Sequence, residues 1–366
     1  MNQLLRSAVL TAMVLSLSIS SGRAQEVKSK NAKTWQLSGR VQLQYLLNTD
    51  IDSDDAETNN GFRIRRGRLQ ATGQLTDWVQ TKFQVEIRDN SPRLKDAEGK
   101  ILLGERVFVR FGQFKVPVWR EELRSSSKLL LIERSAAADF LVDNRLSARH
   151  IGVEVSGKAG NRIQWAVNLS NGAGEGGRED AGRTKDGAFV NNGKMVTGRV
   201  NVPVSKRLEV GVSGAANRGG ADTGTTDNTG TLYTIAPDFG LYLSTGAQGQ
   251  LDIEGGLAVG SMSSEFTGTA EDVNFVLFDV TGRWMTKLTE VKQNLGGLDA
   301  FELAAGISFI EPNTDFDDDE ALFFRFGPAV YFGKQTRLQV NAELEQPTAE
   351  GADTVLQFRA QTTFNF

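Results

Sequence analysis

The stretch FRIRRGRL places Arg63, Arg65, Arg66 and Arg68 within six residues, and no acid stands beside them. A guanidinium stays charged at any physiological pH. Its planar fork holds phosphate or carboxylate oxygens two at a time. The cluster therefore points to anion recognition. Other chemistries have little material to draw on. The chain has one histidine, His150, and no cysteine. A site with two histidine metal ligands is impossible, and a Ser–His–acid arrangement could name only Ser147 or Ser156, on availability alone. No glycine-rich phosphate loop opens a helix after a strand, and no basic nucleic-acid face is present. Acid-only cation binding stays open in NTDIDSDD and NTDFDDDE, with a solvated loop as the plainer reading. The chain is read as a non-enzyme with no cofactor and no metal.

The elements that position these arginines show a period of two. WQLSGRVQLQYLL sets Trp35, Leu37, Val41, Leu43 and Tyr45 against Gln36, Arg40, Gln42 and Gln44. VQTKFQVEI and NRIQWAVNLS repeat the pattern, which is that of a strand with one apolar and one polar face. Strands are read near 35–47, 62–75, 77–89, 93–103, 106–116, 149–158, 162–170, 194–204, 207–217, 231–243, 249–260, 272–286, 299–310, 321–332, 336–346 and 354–366. The fourth, RLKDAEGKIL, alternates poorly. The segments are about 10 residues long, the length of a tilted transmembrane strand, and their polar faces are dense in Gln, Asn, Arg and Glu. Gly is abundant (39) and Pro scarce (7), which suits many strands joined by polar turns.

The fold class is thus all-β: an antiparallel transmembrane barrel of about 16 strands, wide enough for an aqueous channel. Long and short connections alternate, so the long ones share one rim; the turn near 287–298 is longer than this rule expects. The even count brings Phe366 to the short-turn rim. Residues 1–24, with Arg6, an apolar run from Ala8 to Ile19 and small residues before Gln25, read as a signal peptide. Residues 25–366 form the barrel domain, exported to a Gram-negative type outer membrane.

One connection, 115–150, carries apolar side chains including Trp119, Leu129, Ile132 and Leu141. Its charges include Arg120, Arg124, Lys128, Glu133 and Arg134. A loop this long and this apolar packs somewhere, and the lumen is the space available. It is read as an inward constriction loop.

The adjacent pair Arg65–Arg66 conflicts with strict alternation, since one of them would face lipid at a cost of roughly 2–4 kcal/mol at midplane. Apolar residues sit at even positions before the pair (Phe62, Ile64) and at odd positions after it (Leu69, Ala71). A β-bulge across Arg65–Gly67 produces such a switch. All four arginines then face the lumen as a basic patch, joined by Arg40, Lys82, Arg110 and Lys115. Isolated lumen arginines such as Arg199 and Arg325 are expected to pair with neighbouring acids.

FRIRRGRL, RFGQFKVP, EELRSSSKLLLIERS and RHIGVEVSG, in this order and spacing over 62–157, resemble the phosphate-selective porin O and P family. The resemblance implies a trimeric outer-membrane porin whose third loop lines the constriction and whose lumen bases attract phosphate or polyphosphates. Matching residues are Arg65 and Arg66, Lys115 in GQFK, and Glu133 and Arg134 in the loop. Two features depart from the family pattern. The chain is short for phosphate-specific members, and its presumed outer loops are acidic: Asp50, Asp52, Asp54, Asp55 and Glu57 in one, Asp315, Asp317, Asp318, Asp319 and Glu320 in another.

Three functions follow: an anion-preferring diffusion porin, a general or cation-tolerant porin, and a structural or adhesive barrel with a plugged lumen. The expected partners are small inorganic anions or other small hydrophilic solutes, outer-membrane lipid and lipopolysaccharide, and two further copies in a homotrimer. Nucleic acid is not among them.

Overall fold

In the computed structural model, residues 25–29, 32–50, 59–160, 162–177, 189–190, 192–222, 228–288 and 297–366 are described. The proposed leader, 1–24, lies outside them. Sixteen strands form one antiparallel barrel: β1 Ala32–Asn48, β2 Asn59–Gln74, β3 Val79–Arg88, β4 Ser91–Leu102, β5 Val107–Lys115, β6 Arg149–Ala159, β7 Ile163–Ser170, β8 Met195–Pro203, β9 Leu208–Gly219, β10 Gly230–Thr245, β11 Gly249–Met262, β12 Val273–Lys287, β13 Leu298–Glu311, β14 Ala321–Phe332, β15 Thr336–Pro347 and β16 Val355–Asn365. Each pairs with its neighbours in sequence. β16 closes the wall on β1, from Gln357 opposite Asn48 to Asn365 opposite Arg40. Closure pairs every strand edge, as hydrocarbon requires. No helix among the described residues is long and apolar enough to cross a membrane; the strands do so.

Outward positions such as Leu43, Leu69, Phe83 and Ile87 are apolar and exposed. Inward positions such as Gln42, Gln44, Arg66 and Glu86 are buried by the wall and by what it encloses. β1 runs below the end of β16. There Gln25–Ser29 pairs along its free edge, with Gln25 opposite Leu37.

Two bulges interrupt the alternation in β1–β5, and a third register shift of the wall lies between Leu298 and Ala300 at the start of β13. In β2, Ile64 faces Leu43 and Arg66 faces Gln42, so Arg65 is the extra residue. In β4, Leu94 faces Val85 and Asp96 faces Gln84, so Lys95 is extra. The second bulge explains the poor alternation of RLKDAEGKIL, which is a genuine strand. Each bulge allows two successive charged residues to face inward.

The segment 116–148 leaves β5 and folds into the barrel. It contains two helices, α1 Arg120–Leu123 and α2 Ala136–Asp143; Ser135 caps α2 by accepting from the Ala138 N–H. Val116, Val118, Trp119, Ala137, Ala138, Leu141 and Leu146 pack against Met195, Leu232, Ala236, Ala258, Phe275 and Leu277 on the inner faces of β8 and β10–β12. The lumen is therefore not uniformly polar, as the strand pattern suggested. One side carries a dry core. Trp119 adopts φ 65°, and its ring lies over Gly256, where an added Cβ would meet ring carbons at 3.1 Å. Only glycine leaves room there.

Leu141 is fully buried in this core. Leu141→Ala should cost about 2–5 kcal/mol of docking energy. The expected result is faster proteolysis within the segment while the barrel itself stays resistant; uncut segments would show that the core does not hold it.

Candidate functional site

The β2 bulge turns the arginine pair onto one carboxylate. Arg65 donates from Nε and Nη2 to the two oxygens of Glu133, at 2.6 and 2.8 Å. Arg66 donates from Nη2 to Glu133 Oε2 at 2.9 Å and from Nη1 to Gln42 Oε1 at 3.1 Å. Arg68 pairs with Glu86 on β3 and donates to Ser126 Oγ at 3.2 Å. Arg63 is held by Gln44 Oε1 at 2.8 and 2.5 Å. All four arginines avoid lipid, as the bulge requires. They are not a free patch, however: the acid missing from the local sequence arrives from the inward segment and from the next strand. Burial by itself would raise the Glu133 carboxyl, but Arg66 and Arg65 hold it well below the usual carboxylate range.

The other end of the segment is tied to the opposite wall. Arg120 donates to Asp238 Oδ1 at 2.8 Å, Glu209 Oε2 at 3.0 Å and Asn201 Oδ1 at 3.0 Å. Arg124 pairs with Glu254. Asp238 lies on β10, eight strands from β2 in a ring of sixteen, so the segment spans the lumen. Between these anchors, Leu129–Ile132 has its backbone satisfied by β15: Arg337 donates to the Leu129 and Leu130 carbonyls at 2.9 and 3.1 Å, and Asn341 Oδ1 accepts from the Ile132 N–H at 2.7 Å. Irregular backbone inside a barrel needs such partners. Glu122 joins Arg134 at 2.5 Å to Lys115 at 3.1 Å. Arg120, Arg124 and Arg134 thus act as fastenings. Lys128 is exposed, with no ion pair among the described residues.

Spaces remain around the segment, and three of them bear on passage. The outer one, about 420 Å³, lies between α2 and the upper parts of β2, β15 and β16; Arg63, Arg65, Asp139, Asp143, Glu343 and Glu345 line it. The middle one, about 320 Å³, lies against β1–β6. Its walls carry Arg40, Arg68, Lys82, Arg110, Lys115 and Arg149, with Asp96 as the one acid, and Ser125 and Ser126 from the segment. The inner one, about 660 Å³, shares Arg110 and Lys115 with the middle space and opens toward the short turns. Asp96 is engaged by Arg149 and Lys82, each at 2.7 Å. Arg40 is 8% exposed. It donates to Ser125 Oγ at 3.2 Å and has no carboxylate partner among the described residues.

Of the residues the sequence pointed to, Arg40, Arg68, Lys82, Arg110 and Lys115 meet in the middle space. Arg63 and Arg65 face the outer one, and Arg66 is buried beneath it. Sequence reasoning missed Arg149, Lys95 and the two serines. The broken alternation of β4 was the available signal for Lys95. Arg199 and Arg325 pair with Asp238 at 2.5 Å and Asp279 at 2.6 Å, so both serve the wall. His150 is fully buried: Nε2–H donates to the Ser147 carbonyl at 3.0 Å and Nδ1 accepts from the Gly174 N–H at 3.1 Å. Both ring nitrogens are spent on fastening loops, which leaves none for a serine hydroxyl. On the long-loop rim, Glu311, Asp319 and Glu320 bring carboxylate oxygens within 4.8 Å of one another; the other acidic stretch, 51–58, lies outside the described residues.

Comparison with known proteins agrees with this architecture. The family model for phosphate-selective porin O and P matches residues 36–252. No curated protein sequence matches the chain. Among solved structures, an anion-selective porin from Comamonas acidovorans is similar with TM-score 0.62 and 12% identity, covering 91% of this chain and 99% of that one. The outer membrane channel DcaP of Acinetobacter baumannii has TM-score 0.61 and 13% identity, covering 93% and 99%. The trimer form of OmpT from Vibrio cholerae has TM-score 0.58 and 11% identity, covering 91% and 99%. At these identities the likeness is one of fold.

Proposed function

The chain belongs to the phosphate-selective porin O and P family and is an outer-membrane porin, and on that premise we propose that it passes small anions in preference to cations. The observation that carries this reading is the middle space, lined by six bases and one acid, in which Arg40 alone of the six has no carboxylate partner among the described residues. In a narrow passage a local cluster outweighs the net charge of the chain, because fields fade within about 8–10 Å at physiological salt. Among the described residues Arg40 has no carboxylate partner, so its charge is available to a passing ion. The neighbouring bases are each paired: Arg68 with Glu86, Arg149 and Lys82 with Asp96, Arg110 with Glu98 and Glu154, and Lys115 with Glu122. Bases spaced along a wall let an ion advance without being trapped at one of them. The inward segment is the constriction, since it narrows the lumen to these spaces.

The family resemblance favours phosphate among the anions, and Ser125 and Ser126 beside Arg40 and Arg68 supply hydroxyl donors suited to phosphate oxygens. The acidic outer loops favour a pore that also admits other solutes. A cleaved leader over 1–24, contact with lipopolysaccharide and assembly as a homotrimer complete the reading; a trimeric structural relative supports the last. The test is a reversal potential across a KCl gradient in a planar bilayer, followed by chloride conductance with added phosphate. An anion-type potential and a conductance that phosphate reduces are expected. A cation-type potential would reject the proposal, and an absence of current would favour the plugged barrel.

A further inference from the structure

We propose that the pore rectifies: at low salt it carries more current when the long-loop side is positive than when it is negative. This rests on the porin reading and adds a direction to it. The basis is two zones of opposite charge placed in series along the lumen.

The outer zone is acidic once its ion pairs are set aside. Arg65 is matched by Glu133, Arg359 by Glu343 at 3.2 Å, and Arg134 by Glu122. Asp139 and Asp143 stand one turn apart on α2, and Glu345 faces them from β15 in the same cavity; burial and neighbouring Glu121 push Asp139 up to about 7, so the measurement belongs at about pH 8 or above, where it is charged. None of these three has an ion pair among the described residues; Arg63 and the one charge left over where Arg65 and Arg66 share Glu133 oppose them, so the acidic excess is carried mainly by the rim. The rim above continues the sign, since 312–320 contains five acids and no base. The middle zone is basic, as described, and the sign persists to the short-turn rim, where Arg106, Lys206, Arg207 and Lys334 lie.

A negatively lined mouth admits cations, and a positively lined interior admits anions. When the outer side is positive, cations move inward through the acidic zone and anions move outward through the basic zone. Both accumulate where the zones meet, and conductance rises. With the opposite voltage both are drawn away from the junction, and conductance falls. Screening sets the range: the Debye length is about 10 Å at 0.1 M salt and about 3 Å at 1 M, so the asymmetry belongs to dilute solution.

The experiment is a single-channel current–voltage curve in symmetric KCl. The chain has no cysteine, so Ala349→Cys on the long-loop rim marks the outer side through block or label by an impermeant maleimide. The expected ratio of currents at equal and opposite voltage is about 1.5- to 3-fold at 0.1 M, larger with the outer side positive, and close to 1 at 1 M. The variant Asp139→Asn, Asp143→Asn, Glu345→Gln should lower the ratio at 0.1 M and, measured separately across a KCl gradient, shift the reversal potential further toward anions. An ohmic pore at 0.1 M, the opposite polarity, or a ratio that the triple variant leaves unchanged would overturn the inference while leaving the porin reading intact. A barrel that passes no current would overturn both.

Discussion

Replacing Glu133 by Gln is expected to raise single-channel chloride conductance and the noise upon it while the barrel stays assembled. The carboxylate is the one group that Arg65, Arg66 and Gln44 share, and it fastens the inward segment to the β2 bulge. Glutamine keeps the shape and removes the charge. The two guanidiniums, 16% and 4% exposed at their side chains, then lack a counter-ion. Breaking a buried ion pair costs about 3–5 kcal/mol, and water in the lumen screens this one, so about 1–3 kcal/mol is the working figure. That shifts the docked population by roughly tenfold or more, since 1.4 kcal/mol is a factor of ten. The wall does not depend on the clip, because every strand is paired on both sides. Adding Arg65→Gln and Arg66→Gln to the Glu133 variant removes the stranded charges and should quieten the channel. Unchanged conductance and noise in the single variant would show that the segment is held elsewhere.

The sign of the pH dependence follows from the same pair. Glu133 is held below its ordinary pKa, so its contribution is complete above the unfolded value of about 4.3 and is lost only as pH falls through the depressed one. The clasp should therefore hold from pH 7 to about pH 4, read as unchanged proteolytic resistance of the inward segment over that range.

The second large effect is expected at Arg40. Removing Arg68 would strand Glu86, and removing Arg149 or Lys82 would loosen Asp96. Removing Arg40 breaks a bond to Ser125 and strands no acid. Arg40→Ala therefore isolates the charge from the packing. One unit charge lining a narrow passage contributes about 1 kcal/mol at 4 Å even at the dielectric of water. The chloride-to-potassium permeability ratio should fall about 3- to 10-fold, and Arg40→Lys should restore much of it. A reversal potential that does not move in Arg40→Ala would place the filter outside the middle space.

The sequence carries the barrel plainly. Period-two alternation over about ten residues at a time can be satisfied in hydrocarbon by closed sheet alone, so strand number and facing follow from local pattern. Even the β2 bulge is legible, because a parity switch is a local event: Phe62 and Ile64 at even positions, Leu69 and Ala71 at odd. The β4 bulge left only a blurred strand, since Lys95 is flanked by few apolar residues to mark the change of face.

Charge compensation was not legible. FRIRRGRL looks like an unopposed basic patch because its acid, Glu133, comes from a segment nearly seventy residues away. The same holds for Arg120, which meets Asp238 across the lumen. Which lumen charges remain free is a property of pairs brought together by closure and by the docking of one segment, and no periodicity records it. The sequence by itself determined a membrane barrel lined with arginines. The tertiary structure alone decided that Arg65 and Arg66 are a clasp and Arg40 an open charge, because the field an ion meets depends on distances between residues that only the closed wall makes neighbours.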